Sequence, residues 1–180
     1  ARGGIIRSGL GYDLADVGVI TNISEDHLGL DGIGTLEELA KVKALVIEAV
    51  KPEGTAVLNA DDGMTRWLLS RVKCKVILFS TDHRNSLLTE KAKEGNCVVY
   101  VRDGSIYAAE NTKEVFIAKV EEIPVTYGGK AVCNVENALA AISALKALGT
   151  PVITIRAGLL GFKPDTKTNP GRFNLFDMGK

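Results

Sequence analysis

The sequence predicts an α/β fold: a mostly parallel, Rossmann-like sheet flanked by helices, with a small antiparallel section. Three short apolar runs, at 17–21, 55–59 and 76–80, alternate with segments of helical character. This alternation is typical of a parallel sheet whose strands are joined by right-handed crossovers. After the third run the helical segments give way to closely spaced short strands, which indicates the antiparallel section.

An Asp-Gly pair at 103–104 separates the apolar runs 97–102 and 105–109. Asp-Gly favours the tight turns that match the twist of paired strands, so these runs are predicted to form a β-hairpin. Two more short strands are expected at 115–120 and 123–127. Together these segments form the predicted antiparallel section.

The segment that follows the first strand and a polar loop is predicted to be an amphipathic helix. Thr35 and Glu38 have the spacing of a capping box, in which each side chain accepts from the backbone of the other. The stretch 51–54 (KPEG) is expected to end the helix. Lys43 is expected on its outer side. The predicted core face carries apolar residues at the helical period: Leu36, Leu39, Val42 and Val46.

Further helices are expected along the chain. Asp61 or Asp62 is expected to cap a second helix that runs to about Val72. Asn134 is expected to cap a third helix, which ends at Gly149 just before a proline. A short helix is predicted at 152–162.

A polar segment at 163–169, with Pro164 inside it and Pro170 directly after it, indicates a domain boundary. Residues 1–165 are therefore expected to belong to one domain. Residues 166–180 are expected to form a hinge and the start of a second domain. The chain begins without methionine inside a glycine-rich phrase and ends at 177–180 (DMGK) after an apolar run, so we expect it to be a piece of a longer protein; a processed protein is the alternative.

The composition indicates a soluble globular protein that acts on small molecules. Hydrophobic residues make up 46% and charged residues 24% of the chain, and 22 basic residues balance 22 acidic ones. A chain without net charge offers no electrostatic attraction to nucleic acid or an anionic membrane. No apolar run approaches the length of a membrane span. We expect a cytoplasmic protein with no nucleic-acid and no membrane partner.

The three cysteines are Cys74, Cys97 and Cys133. They are odd in number and widely spaced, and there is no CxxC or Cys/His cluster, so neither a disulfide framework nor a structural zinc site is expected. Buried free thiols are the expected state.

The segment 21–28 (TNISEDHL) is the first candidate site, because it follows a buried strand at the carboxyl edge of the predicted parallel sheet. Open α/β sheets bind their ligands at that edge. Asp26 and His27 can bind a divalent cation or a phosphate oxygen. The alternative is a helix cap and a solvent-exposed histidine in a loop.

Two helices carry further candidates. Lys43 lies sixteen residues after His27 and acquires a special role only if a metal and phosphates lie near it; otherwise it is a solvent-facing lysine. Asn134 and Asn137 lie three residues apart, so both fall on a similar side of one helix. The amide of Asn137 can hydrogen-bond the edge of a base, and neighbouring alanines leave space for a flat ring. The alternative is helix capping and close helix packing.

Arg172 follows a proline and a glycine after the polar linker, where its guanidinium can bind phosphate or carboxylate, or can remain a surface charge. The 180 residues contain no match to the phosphate-binding GxxxxGK[ST] pattern. The nearest stretch, 128–131 (GGKA), lacks the first glycine and the hydroxyl residue. Two histidines, His27 and His83, are too few for a histidine-rich metal site.

Taken in order, these phrases resemble the Mur ligase family from its central domain to its hinge. The resemblance is carried by ARGGI, DVGVITNISEDHLGLDGI, TLEELAKVK, GTAVLNADD, NVENALAA, GLLGFKPD and NPGRFN. The run from TLEELAKVK to NADD is especially similar to the Mur-like part of the cyanophycin synthetase branch. The resemblance implies a ligase that uses ATP and Mg²⁺ to phosphorylate a carboxylate, so that an amine can attack the acyl phosphate.

The resemblance also assigns roles to individual residues. It implies that His27 is a magnesium ligand and that Lys43 is carbamylated, so that it offers a carboxylate to a metal. It implies that Asn134 and Asn137 bind the adenine end of ATP, and that Arg172 contacts the phosphates or the ribose. Cys133 stands where family members often have histidine, which puts only that contact in doubt.

The resemblance implies a fragment of an amide ligase that adds arginine to the aspartate side chain of a polyaspartate backbone. Its partners are then a free amino acid and a peptide-like acceptor, with a homo-oligomer also possible. A peptidoglycan or folylpolyglutamate ligase is the enzyme alternative, and a nucleotide-binding or interaction module is the non-enzyme one. Because the phosphate loop is absent, the isolated chain is expected to be inactive.

Overall fold

The computed structural model describes residues 2–25, 29, 32–165 and 167. In chain order the described elements are α1 (Arg2–Ser8), β1 (Ala15–Ile20), α2 (Leu36–Glu48), β2 (Val50–Asn59), α3 (Thr65–Leu69), β3 (Lys75–Ser80), α4 (Ser86–Lys93), β4 (Cys97–Arg102), β5 (Ser105–Glu110), β6 (Lys113–Lys119), two 3₁₀ turns (Val120–Glu122 and Pro124–Thr126), α5 (Val132–Ala147) and α6 (Val152–Gly161).

The strands form one sheet in the order β1-β2-β3-β4-β5-β6. The pairings from β1 to β4 are parallel, and β4 to β6 are antiparallel. The predicted α/β class, with a mostly parallel sheet and a small antiparallel section, is therefore confirmed. Because β1, β2 and β3 are paired in parallel, their carboxyl ends meet at one edge of the sheet.

The sheet separates two apolar cores. One side is covered by α2, α3 and α4, and its buried residues include Leu39, Ala44, Leu58, Leu68 and Leu88. The other side is covered by α5 and α6, and its buried residues include Val57, Phe79, Leu139, Ile142 and Ile155. Successive residues of a strand point to opposite faces, so adjacent Val57 and Leu58 belong to different cores.

Three local predictions are confirmed closely. Asp103 and Gly104 both have positive φ, 49° and 69°, as the tight turn between β4 and β5 requires. Thr35 caps α2, and its partnership with Glu38 is the predicted capping box. Gly149, with φ 73°, directly follows the last turn of α5 as expected.

The buried face of α2 differs from the prediction. Its fully covered residues are Leu39, Ala40, Ala44 and Ile47. Leu36 and Val42 are only partly buried against the same core. The helix lies close to the sheet, so small alanines occupy the contact and the larger side chains flank it. Lys43 is half-buried rather than outward.

Other local predictions are wrong. Neither Asp61 nor Asp62 caps α3; the residue before α3 is Met64, and the Asp62 carboxylate accepts from the Met64 amide in a preceding turn. Segment 123–127 is not a strand, since Pro124 starts a 3₁₀ turn there. Helices α1 and α4 were not predicted at all. Cys133 is exposed and Cys74 half-buried, so only Cys97 fits the expectation of buried free thiols.

β2 begins at Val50, before the residues that were expected only to end α2. Ala15 pairs with Val50, but Val17 already pairs with Thr55, so residues 51–54 bulge out opposite Asp16. A Cβ at Gly54 would lie 2.6 Å from the Asp16 carbonyl oxygen, which explains a glycine there. None of the helices in the described part of the chain is long and apolar enough to cross a membrane.

Candidate active site at the carboxyl edge of the sheet

The loop that follows β1 is held by three side chains, one each from β2, α2 and the turn before α3. The amide nitrogen of Asn59 donates to the Thr21 carbonyl at 3.0 Å. Lys43 Nζ donates to the Asn22 carbonyl at 2.9 Å. The backbone amide of Ile23 donates to Asp62 Oδ2 at 2.5 Å. Three consecutive backbone positions, Thr21 to Ile23, are thereby fixed just before the Asp-His pair predicted as a cation site.

Asp61 has a different task from its neighbour Asp62. Its carboxylate accepts from the Ser80 hydroxyl at 2.6 Å, from the Thr81 amide at 2.7 Å and from Asn85 Nδ2 at 2.9 Å. Asp61 thus joins the end of β2 to the end of β3 and the start of α4. Because these contacts are all made within the protein, we assign Asp61 a structural role.

Glu136 connects this edge to the first turns of α5. Burial raises the pKa of its carboxyl group, and the charges of Asp61 and Asp62 raise that pKa further. These three carboxyl groups therefore lie near one another. The start of α5 and the end of β2 form one continuous region on the α5 side of the sheet.

A cleft of about 900 Å³ lies between α5 and α6. Its lining is mostly apolar, with a few polar groups: Val125, Asn134, Asn137, Ala138, Ala141, Leu145, Thr150, Thr154, Ile155, Gly158, Leu159 and Phe162. This volume and this mixture of walls are typical of small-molecule sites. The alanines and the glycine leave room between the helices for a flat ring.

The two asparagines predicted as a pair do meet in this cleft. Asn134 is 9% exposed, and its Nδ2 donates to the Val125 carbonyl at 2.7 Å. Its Oδ1 accepts no hydrogen bond from the described residues and can accept one from a ligand. Asn137 is exposed one turn further along α5. Its side-chain NH₂ and carbonyl make no hydrogen bond with the described residues. The prediction that Asn134 caps the helix is wrong, because α5 begins at Val132.

The other predicted site residues divide into two groups. His27, Asp26 and Arg172 lie outside the described residues. Lys43 is described: it is half-buried on α2, and its amine contacts the loop that leads toward His27. Within residues 2–25, 29, 32–165 and 167 there is no cluster of three or more His, Cys, Asp or Glu side chains arranged to hold a metal ion.

Sequence reasoning missed Asn59 and Asp62 as residues of this site. Asn59 is 3% exposed at the end of β2, where a buried polar side chain must find partners. The signal was present, since Asn59 ends a buried strand and Asp62 comes shortly after it, at the edge where open α/β sheets carry their sites. Glu136 gave no such signal, because its neighbours are set by how α5 lies on the sheet.

The sequence profile of the Mur ligase middle domain matches residues 11–145. The chain belongs to the Mur ligase middle domain family. The match covers the sheet from just before β1 and almost all of α5, including Lys43 and both asparagines of the cleft.

Two relatives indicate where in this family the chain lies. It is 41% identical over 178 residues to a cyanophycin synthetase of Geminocystis herdmanii, covering 99% of this chain and 20% of that protein. It is 34% identical over 149 residues to a UDP-N-acetylmuramoylalanine–D-glutamate ligase of Desulfitobacterium hafniense, covering 82% of this chain and 29% of the relative. The chain therefore spans about a fifth of the length of the first relative.

Solved structures of Mur ligases share the fold. A UDP-N-acetylmuramoyl-L-alanyl-D-glutamate–2,6-diaminopimelate ligase superposes with a TM-score of 0.62 at 19% identity, covering 90% of this chain and 31% of that one. A MurF ligase of Thermotoga maritima in complex with ADP superposes with a TM-score of 0.52 at 25% identity, covering 91% and 33%. The observed sheet and helices are thus those of Mur ligases.

Proposed function

We propose that this chain is the adenine-binding part of an ATP-dependent amide ligase that works through an acyl phosphate. The observation that carries the proposal is the cleft between α5 and α6, where Asn134 and Asn137 lie among small apolar side chains. An adenine ring needs flat apolar walls and a few hydrogen-bonding groups at its edge, and the cleft offers both. The MurF relative that was solved with ADP supports a nucleotide in this family.

In this proposal the two asparagines divide the recognition of the base. Asn134 is oriented by its bond to the Val125 carbonyl, so its free Oδ1 is a fixed acceptor for the exocyclic amine of adenine. Asn137 is exposed, and its side-chain NH₂ can donate to a ring nitrogen of adenine, which is an acceptor. Preorganisation at Asn134 lowers the entropy that binding must remove.

We assign the metal side of the site to His27 and Lys43, with Mg²⁺ neutralising phosphate charge. Lys43 is near the loop that carries His27, because its amine bonds the Asn22 carbonyl. Carbamylation joins the neutral amine to CO₂ with release of a proton, giving a carboxylate ligand. Arg172 is assigned to the phosphates or the ribose. These roles rest on the family resemblance together with the position of Lys43.

For the complete protein we propose cyanophycin synthesis, in which arginine is joined to the aspartate side chain of a polyaspartate backbone. The support is 41% identity over nearly the whole chain to a cyanophycin synthetase. A peptidoglycan-type amide ligase is the alternative, since a D-glutamate ligase is 34% identical over a shorter span. We further propose that residues 1–165 belong to the nucleotide-binding domain, and that 166–180 form a hinge and the start of a second domain.

The test is nucleotide binding by the 180-residue chain. We expect AMP and ATP to shift the amide resonances of α5 and α6 saturably, while GTP shifts them far less. Asn137→Ala should weaken AMP binding about three- to tenfold, because one or two hydrogen bonds to the base are lost. Asn111→Gly, on the distant turn between β5 and β6, is the matched control and should leave the affinity unchanged.

Failure of adenine nucleotides to bind, or equal binding by Asn137→Ala, would remove the observation on which the proposal depends. Hydrolysis of ATP is not expected, since the 180 residues contain no GxxxxGK[ST] pattern. Turnover by this chain would show that the phosphate loop is dispensable.

A further inference from the structure

A second cavity lies at the opposite edge of the sheet, where β2, β3 and β4 begin. Its volume is about 430 Å³, and its lining is Glu53, Thr55, Lys75, Val76, Ile77, Gly95, Asn96, Cys97, Glu110, Lys146 and Ala147. Thr55 in this cavity and Asn59 at the candidate active site are four residues apart on β2, which places the two sites about 13 Å apart along the strand. This amino-edge cavity therefore shares none of its lining residues with the nucleotide cleft.

The floor of the amino-edge cavity is formed by two polar side chains that are almost completely buried. Thr55 is 7% exposed and Cys97 is 9% exposed. Neither the Thr55 hydroxyl nor the Cys97 thiol makes a side-chain hydrogen bond with the described residues. Burial raises the pKa of Cys97 to about 11, so the thiol stays neutral at physiological pH. No fully buried side-chain oxygen or nitrogen of the described residues lacks a hydrogen-bond partner, so the Thr55 hydroxyl is open to the cavity and can contact a ligand or a water there.

The rim carries charges of both signs that do not pair with one another. Lys75, Lys146, Glu53 and Glu110 all line this cavity, and none of the four forms an ion pair of 4.0 Å or less with a described residue, although the charge of Glu53 is felt by Lys51. Glu110 and Lys146 both lie near the Cys97 thiol, since the first raises and the second lowers its pKa. Because these lysines and glutamates line the same cavity without forming ion pairs, a ligand can bind between them.

This arrangement selects a ligand by its charge. A phosphate or other simple anion would face two carboxylates, and a simple cation would face two ammonium groups. A small molecule with one carboxylate and one ammonium group can satisfy both pairs. Ligand pockets usually measure about 300–1,000 Å³, so a cavity near the lower end of that range suits a molecule of amino-acid size.

We propose that the amino-edge cavity binds a free α-amino acid, with its carboxylate toward Lys75 and Lys146 and its ammonium group toward Glu53 and Glu110. The Thr55 hydroxyl donates to the ligand carboxylate at the floor. The bound amino acid is separate from the substrate of the proposed ligase, because the cavity is at the edge of the sheet away from the nucleotide cleft. The proposal stands whether or not the chain binds ATP.

The experiment is an amide-resonance titration of the 180-residue chain with glycine, L-aspartate and L-arginine. At least one should shift the resonances of Thr55, Ile77, Asn96 and Cys97 saturably at millimolar concentration. N-acetylglycine, which lacks the ammonium group, and glycinamide, which lacks the carboxylate, should bind at least about tenfold more weakly, since each loses a charge-assisted hydrogen bond.

Two variants localise the binding. Glu110→Gln removes an exposed carboxylate without disturbing the core, and we expect about tenfold weaker binding of the amino acid. Thr55→Val removes the floor hydroxyl and should weaken binding by about threefold or more. Glu37→Gln, in the first turn of α2, is the control and should bind as the original chain does.

Three results would overturn the proposal: no saturable shift with any of the three amino acids, equal shifts with inorganic phosphate, or an unchanged affinity in Glu110→Gln. Should Thr55→Val fail to fold, Glu110→Gln still decides the question, because its side chain is exposed.

Discussion

At the residue scale, Asp62 is the clearest case of a side chain that fixes a backbone segment at the site. Its two oxygens accept from the Ile23 amide at 2.5 Å and from the Met64 amide at 2.8 Å. One carboxylate therefore joins the loop after β1 to the turn before α3. The position of that loop decides where Lys43 can reach, because the Lys43 amine bonds the Asn22 carbonyl.

We predict that Asp62→Asn destabilises the chain by about 1–3 kcal/mol. Asparagine keeps one acceptor, but its NH₂ group cannot accept from the second amide, and the charge that strengthens both bonds is lost. Urea unfolding measures the loss, and hydrogen exchange should show faster exchange at Ile23. Asp13→Asn, at an exposed bend without a described hydrogen bond, is the control. An unchanged midpoint together with unchanged exchange at Ile23 would refute the prediction.

A second residue-scale feature is the group of charged and aromatic side chains on β4 to β6. Arg102 binds Glu114 through both terminal nitrogens, at 2.9 and 2.6 Å, and lies 4.4 Å from the centre of the Tyr107 ring. Tyr100 donates its hydroxyl proton to the same carboxylate. Burial, followed by the hydrogen bond and the charge of Glu114, raises the pKa of Tyr100 from 10.0 to about 12.

This shift predicts how stability changes at high pH. The folded state favours the protonated Tyr100, so its contribution is complete below pH 10 and is lost as the pH rises toward about 12. The denaturant midpoint should therefore fall more steeply over that interval in the original chain than in Tyr100→Phe. The other tyrosines are common to both proteins and cancel in the difference. Parallel curves for the two proteins would contradict the assignment.

At the element scale, the capping contacts at the first turn of α2 fix where this helix begins. Thr35 Oγ1 accepts from the Glu38 amide at 3.2 Å, and Glu38 Oε2 accepts from the amides of Thr35 at 3.2 Å and Gly34 at 2.7 Å. These contacts satisfy amides that the first turn of a helix leaves without partners. They thereby set where the helix begins.

Thr35→Ala is expected to cost about 1 kcal/mol of unfolding free energy, the usual loss when a helix cap is removed. Thermal or urea unfolding measures it. Thr112→Ala, in the exposed turn between β5 and β6, removes a hydroxyl with no described hydrogen bond and serves as the matched control. Equal stabilities of the two variants would mean that the cap contributes nothing beyond the rest of α2.

Elements with strong local signals were predictable from the sequence. The hairpin turn needs two residues that tolerate positive φ, and Asp-Gly supplies them; the α2 start needs a hydroxyl and an acid three residues apart. Helix α4 escaped prediction because only Leu87 and Leu88 are buried in it, too few to show a period. Segment 123–127 looked like a strand because it is apolar, but Pro124 removes a ladder donor and favours a turn.

The site was predictable to the same extent. Asn134 and Asn137 were correctly paired, because residues three apart share a helix face whatever the tertiary structure. The walls contributed by Thr150, Thr154 and Phe162 were not foreseeable, since they depend on how α6 packs beside α5. The prediction that Asn134 caps the helix was wrong because α5 begins two residues earlier, at Val132. The Asn134 side chain instead donates to the carbonyl of Val125, in a turn nine residues earlier, and the sequence does not reveal this contact.

At the scale of the whole molecule, the described sheet has two edges with different protection. β6 carries three charged side chains, Lys113, Glu114 and Lys119, and Arg156 of α6 donates to the Ile117 carbonyl at 3.5 Å. β1 carries one charge, Asp16, and within the described residues it pairs with β2 alone. Edge strands avoid unwanted pairing through charges and coverage, so β1 is the less protected edge.

We therefore predict that the 180-residue chain self-associates through β1 as its concentration rises. Light scattering should show a mass that increases with concentration, and hydrogen exchange of β1 amides should slow over the same range while β6 amides are unaffected. The comparison with β6 is internal, since both strands belong to one molecule and share its global stability. A mass that stays monomeric, or equal changes in both strands, would refute association through β1. In that event the single charge of Asp16, paired with Lys51 at 2.7 Å in the bulge beside it, is sufficient to protect the edge.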